Sequence, residues 1–286
     1  MTEETPKPKK ARNFSPKYKK QIEPARPAVS EVFNLYKKKS DTPLQTIERF
    51  ITMNPKYNGV KMTYAGRLDP MAEGVLVVLA GEKNKERDSY TGLDKDYTFE
   101  FILGVQTDTY DVLGKITGSI DPKAPAKNIT LTAVKNAAKK YTGTFEQEYP
   151  AYSSKVVDGI PLFDLARQGK VGDKEGEIAL PKHSVTATRL EIVGSRTMSR
   201  EDFKKEIVRS IGFVKGDFRQ EETIALWTKY LDGDAPETLT IFKGELSCGS
   251  GFYVRQLVSD LGKDLGTGAV TTSILRTRVG EYRIQK

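Results

Sequence analysis

The stretch Tyr64-Ala65-Gly66-Arg67-Leu68-Asp69-Pro70 sets a single carboxylate against a proline, and an apolar run from Val75 to Ala80 follows it between Gly74 and Gly81. A carboxylate on the loop feeding a buried strand has a rigid mount, and in that setting it can act as nucleophile or general base. The same Asp-Pro pair also fits a plain turn residue, the commoner use of such a dipeptide. Composition narrows the remaining chemistry. Among 286 residues there is one cysteine, Cys248, and one histidine, His183. No disulfide within the chain is possible, and a structural zinc site of Cys and His is excluded. Any Ser-His or Cys-His nucleophile pair would rest on His183 alone.

Four blocks in order carry a family likeness. Gly66-Arg67-Leu68-Asp69-Pro70 with Ala72, Gly74, Val75 and Leu76 resembles the signature of the TruB family of tRNA pseudouridine synthases. Lys95-Asp96-Tyr97-Thr98-Phe99-Glu100-Phe101 with Thr107-Asp108-Thr109-Tyr110-Asp111, and Gly251-Phe252-Tyr253-Val254-Arg255 with Arg276-Thr277-Arg278-Val279-Gly280, match in the family's sequence. Tyr152-Ser153-Ser154-Lys155 with Arg167 and Gly169 is a weaker match. The likeness spans roughly residues 31 to 282. It implies an α+β fold: a mixed, largely antiparallel sheet flanked by helices, with an RNA-binding cleft across its face.

The resemblance also implies a reaction. The N1–C1′ bond of a flipped-out uridine breaks, the base turns, and it rejoins through C5. That is an isomerisation, for which no cofactor or metal is expected. Asp69 is the implied catalytic carboxylate. In a water-poor pocket desolvation disfavours its charged form, and a guanidinium, assigned by the resemblance to Arg255, opposes this. Tyr97 is implied to stack on the extruded uracil, where stacking is worth about 1–3 kcal/mol per base. Its phenol, ordinarily near 10, is the weaker candidate for removing the C5 proton. Tyr253, Ile274 and Leu275 are the implied pocket walls, and Tyr64, Arg67, Lys155, Arg167 and Lys170 the implied RNA contacts. Tyr64 stands where many relatives have a histidine, which bears on the choice of target loop rather than on chemistry. The leading reading is an isomerase acting on uridine 55 in the T-arm of tRNA. The same chemistry at another RNA site, ribosomal for instance, and a non-catalytic RNA-binding module are the alternatives.

These residues need elements to hold them. Val29 to Tyr36 reads as an opening strand. Thr42-Pro43 starts a helix whose Leu44, Ile47, Phe50 and Ile51 recur at helical spacing, until Asn54-Pro55 stops it. Tyr97, Phe99, Phe101 and Leu103 alternate with Thr98 and Glu100, which is the mark of a half-buried strand. Asp108 and Asp111 read as a polar turn. Thr132 is the expected cap of a helix over 133–141, and 145–161 shows no clear period. Leu162, Leu165 and Ala166 fit a short helix in the element that, by resemblance, closes over the RNA. Strands are expected at 185–193 and 239–247. Between them 197–236 reads as a helical insertion, with an apolar stripe of Phe203, Ile207, Ile211 and Phe213, then a second helix carrying Trp227. Val254, Leu257, Val258, Leu261 and Leu265 define a last helix.

The chain holds 46 basic and 38 acidic side chains, a net +8. Residues 1 to 28 contain eight of the basic and three of the acidic ones, with five prolines, and read as a disordered basic arm that finds phosphates. The catalytic domain is expected over 29–286, in a form without the family's C-terminal PUA domain. No apolar run approaches a membrane span and no signal peptide is recognisable, so a cytoplasmic monomer is expected, with tRNA its one partner.

Overall fold

In the computed structural model the described residues are 29–119, 129–172 and 176–284. The arm expected at 1–28 lies outside them. β1 (Ser30–Lys37) leads into α1 (Pro43–Met53), whose start is a reciprocal cap. The Thr42 hydroxyl accepts from the Gln45 N–H, and the Gln45 side chain accepts from the Thr42 N–H. β2 (Met62–Ala65) and β3 (Ala72–Gly81) enclose the Asp69 loop. α2 (Arg87–Thr91), β4 (Lys95–Leu103), β5 (Val105–Thr107) and β6 (Ile116–Ser119) follow. Next come α3 (Leu131–Ala138), β7 (Gly143–Glu148), the short β8 (Val156–Val157) and β9 (Ile160–Pro161), and α4 (Leu162–Arg167). A long strand β10 (Lys182–Ser199) then leads to α5 (Arg200–Gly212) and α6 (Gln220–Asp232), and β11 (Thr238–Cys248) returns beside it. α7 (Val254–Asp264), β12 (Ala269–Val279) and β13 (Tyr282–Arg283) complete the order.

The main sheet runs β1-β3-β12-β4-β11-β10-β7, with β2 on β3 and β13 on β12. Its strand pairs are antiparallel except β3 with β12, which run parallel through Ala72, Glu73 and Gly74 opposite Ile274, Leu275 and Arg276. This is the α+β arrangement expected. Alternation along β4 assigns the two faces. Phe99 and Phe101 join Leu257, Val258 and Leu261 of α7 and Val134 of α3 in one core, while Ile102 turns to Phe203, Ile207 and Trp227 of α5 and α6 in another. Both faces are thus covered by apolar burial, the dominant favourable contribution to folding.

Three local expectations need correction. The cap of α3 is Thr130, not Thr132; its hydroxyl accepts from the Ala133 N–H at 3.2 Å. Within the region without a period, 143–148 forms β7, an edge strand whose pairing with β10 supplies order that its own half-exposed residues do not announce. Phe213 is not part of the buried stripe of α5; it lies just past the helix end and is 62% exposed. The span expected as a helical insertion holds α5 and α6, set at the tip of the long β10–β11 pairing.

Candidate active site

Asp69 sits on the loop between β2 and β3, and two buried cations hold that loop from opposite sides. Lys37, at the end of β1, is fully buried and donates from Nζ to the carbonyls of Ala72 (2.5 Å) and Pro70 (3.3 Å). Burial pushes its amine down to about 8, against a smaller upward pull from Asp69. Arg276 of β12, also buried, donates to the carbonyls of Val75 (2.8 Å) and Gly66 (3.0 Å). Gly74 makes this approach possible. Its φ is +111°, and a Cβ there would stand 2.2 Å from the Arg276 carbonyl oxygen across the parallel pair.

The start of α7 supplies the partner of the carboxylate. Arg255 donates from Nε to Asp69 Oδ2 at 2.7 Å, from Nη1 to the Thr109 carbonyl at 2.5 Å, and from Nη2 to the Tyr152 carbonyl at 3.4 Å. Its side chain is 3% exposed, whereas that of Asp69 is 33% exposed. The guanidinium is therefore sealed in, and the carboxylate keeps an open side. A planar fork with several fixed partners orients a carboxylate more firmly than a flexible ammonium would. Asp111 lies behind the pair, 3.8 Å from Arg255 Nε, and accepts from the Thr109 hydroxyl (2.6 Å) and the Leu113 N–H (3.0 Å). Burial pushes its carboxyl up to about 6, with Arg255 pulling the other way.

The open side of Asp69 faces a cavity of about 400 Å³ lined also by Tyr97, Arg255, Tyr253 and Ile274. That volume falls within the range of small-ligand sites. Tyr97 is buried on β4, and burial pushes its phenol up to about 12, so at neutral pH it offers a ring face and a neutral hydroxyl. Arg67 and Arg167 line the cavity as well, both with exposed side chains.

The structure thus brings together Asp69, Tyr97, Arg255, Arg67, Tyr253, Ile274 and Arg167 from widely separated parts of the chain. Four other expected contacts are not on the cavity lining. Tyr64 packs on Leu76 and Val78 at β2. Leu275 is turned by strand alternation to the face opposite Ile274 and Arg276. Lys155 lies with its Nζ 5.0 Å from the Tyr149 ring centroid, and Lys170 is exposed. His183 supports no nucleophile pair. It stacks on Tyr149 at 3.9 Å between ring centroids, and its Nε2 is 3.0 Å from the Gly251 carbonyl. Residues to which the sequence alone assigns no site role also belong here: Lys37 and Arg276 beneath the loop, Asp111 behind Arg255, and Tyr152, Phe218 and Arg219 on the wall. Asp111, Tyr152 and Arg276 each lie in a block that carries the family likeness, which was the nearest signal for them; Lys37, Phe218 and Arg219 lie in none.

Residues 54–213 match the profile of the TruB family pseudouridylate synthase (N terminal domain). The chain belongs to this family. Its members are isomerases, and the chain is accordingly read as an enzyme. Among curated relatives it is similar to the tRNA pseudouridine synthase B of Bacteroides fragilis, 27% identical over 231 residues that cover 81% of this chain and 77% of that protein. It is also similar to the enzyme of the same name from Lactobacillus delbrueckii, 31% identical over 225 residues, covering 79% and 61%. In fold it resembles a chain of the crystal structure of a Cbf5-Nop10-Gar1 complex, with a TM-score of 0.50 and 15% identity. That match covers 88% of this chain and 49% of the other, so the protein spans about half the length of that chain. Among the described residues no helix is long and apolar enough to cross a membrane.

Proposed function

We propose that the protein is a tRNA pseudouridine synthase, that its target is uridine 55 of the T-arm, and that Asp69 is the catalytic carboxylate. One observation carries the reading: a half-open Asp69 carboxylate, bonded at 2.7 Å to a sealed guanidinium, stands on a cavity that a buried tyrosine also lines. A site meant only to bind RNA gains nothing from a carboxylate on its cavity, where its charge would repel phosphates. The target nucleotide leaves the stack at a cost of a few kcal/mol, which ring contacts with Tyr97 and Tyr253 offset. Asp69 then attacks C1′ or removes the C2′ proton, and the N1–C1′ bond breaks. The uracil turns and C5 bonds to C1′, releasing the Asp69 carboxylate on the first route or with the proton returned to C2′ on the second. The C5 proton then leaves and N1 gains one, so the product is an isomer of uridine and Asp69 is regenerated.

The match to relatives named for tRNA supports the substrate class. The observation that favours a second RNA target is Tyr64, which stands in place of the family's histidine. Incubating the protein with an unmodified tRNA transcript and mapping pseudouridine decides among the readings. Product at uridine 55 is expected. Product only at other uridines would assign another target, and tight binding without product would leave a binding module.

A further inference from the structure

The loop between α5 and α6, residues 213–219, crosses from the helical pair to the cavity, where Phe218 and Arg219 form part of the lining. This loop is stiffened from within. Gln220 donates from Nε2 to the carbonyls of Val214 (2.9 Å) and Gly216 (2.7 Å), and its Oε1 accepts from the Phe218 N–H at 3.0 Å. Arg219 has a φ of +61°, a left-handed conformation uncommon for a residue with a Cβ, and one that persists where the surroundings over-determine it.

Two residues of this loop, Arg219 and Asp217, tie it to residues 149–169, which form one wall of the cavity through Tyr152, Phe163 and Arg167. Arg219 Nη1 donates to Asp108 Oδ2 (2.6 Å) and to the Tyr152 hydroxyl (2.8 Å), and Nη2 donates to Asp108 Oδ1 (3.2 Å). The guanidinium carbon also lies 4.5 Å from the Tyr152 ring centroid, a cation–π contact. Two residues earlier, the Asp217 carbonyl accepts from Arg167 Nη2 at 2.6 Å, and its carboxylate stands 3.8 Å from Nη1. Arg219 and Asp108 are only 19% and 18% exposed, so this pair is less screened than an ordinary surface ion pair. Tyr152 in turn gives its carbonyl to Arg255 Nη2. A continuous series of contacts therefore runs from Arg219 through Tyr152 to Arg255 and Asp69.

We propose that the α5–α6 loop is a clasp that holds the 149–169 wall against the cavity before RNA arrives, and that Arg219 is a positioning residue for Arg255, acting through Tyr152. A wall ordered in advance reduces what RNA binding must spend on ordering it. The rate consequence rests on the pseudouridine synthase reading; the clasp itself does not.

Hydrogen exchange on the RNA-free, full-length protein reads the clasp without reference to activity. Arg219→Ala should speed exchange of amides in 149–169 by at least about tenfold, with β4 and α7 unchanged. Single-turnover conversion at saturating tRNA should fall by at least about tenfold in the same variant, because the Arg255 fork loses its setting. Affinity for tRNA should shift by less than about threefold. Arg219→Lys should recover only part of the rate, since an ammonium cannot span Asp108 and stack on Tyr152 together. Exchange and rate both equal to the unaltered protein would overturn the clasp. Weaker affinity with an unchanged saturating rate would overturn the positioning role and make Arg219 a direct RNA contact. If Arg219→Ala loosens β4 and α7 as well, Tyr152→Leu decides, because it removes the hydroxyl and the ring that Arg219 holds, and undisturbed exchange in the rest of 149–169 would reject the clasp. An unaltered protein inactive on tRNA would defeat the substrate reading alone, while the exchange result still judges the clasp.

Discussion

Asp69→Asn preserves the outline of the side chain and removes its charge. Turnover on tRNA should be abolished while RNA affinity stays within about tenfold, measured by single-turnover conversion and filter binding. Retained turnover would remove Asp69 from the chemistry. Arg255→Lys keeps the charge but cannot reach Asp69, the Thr109 carbonyl and the Tyr152 carbonyl at once. A loss of about a hundredfold in kcat, with little change in KM, is expected from the misplaced carboxylate. Asp69, Tyr97 and Arg255 were found through the family resemblance, each lying in one of the matching blocks, and the fold brings all three to one cavity. Asp111 and Asp108 were not, because their partners, Arg255 and Arg219, are far along the chain and only folding brings them near. Tyr64 and Leu275 lie off the cavity lining. Each adjoins the right residues in sequence, but side-chain direction within a pleated strand decides which cavity a residue serves.

The elements beneath the site make two further claims testable. Gly74→Ala adds a Cβ 2.2 Å from the Arg276 carbonyl oxygen at a φ of +111°. Strain and overpacking together should destabilise the protein by about 3 kcal/mol, read from denaturant unfolding. Lys37 and Lys95 concern pH. Burial pushes both amines down to about 8, from 10.5 in the unfolded chain. Between those values the unfolded state binds more protons, so this contribution raises stability as pH climbs. Thermal midpoints should therefore rise from pH 8 to about 9.5, below the range near 10 where unfolded tyrosines titrate. Lys37→Met should flatten the rise; an unaltered slope would show that Lys37 does not cause it. The start of α1 was legible, because Thr42 followed by Pro43 is a local signal, whereas the start of α3 was placed two residues late, at Thr132 instead of Thr130. β7 was illegible, because an edge strand with half-exposed residues takes its identity from β10.

At the scale of the whole molecule, charge was legible and strand order was not. Eight of the basic side chains fall in residues 1 to 28. Deleting that segment should weaken RNA binding and flatten its salt dependence, by roughly 0.7–0.9 in slope for each phosphate left without its cation. An unchanged slope would mean that the segment is idle. Strand order has a different consequence. β12 lies in the middle of the sheet, between β3 and β4, although it is almost the last strand in sequence. Until it arrives, the β1–β2–β3 group and the β4–β11–β10–β7 group share no strand pairing, and the edge of β4 and residues 72–74 of β3 lack their β12 partner. A ribosome-bound chain that has not yet released residue 269 therefore carries two unjoined half-sheets, prone to sticking to other chains, and its aspartate loop has Lys37 but lacks Arg276. Competence arrives all at once, when the late strand wedges between them.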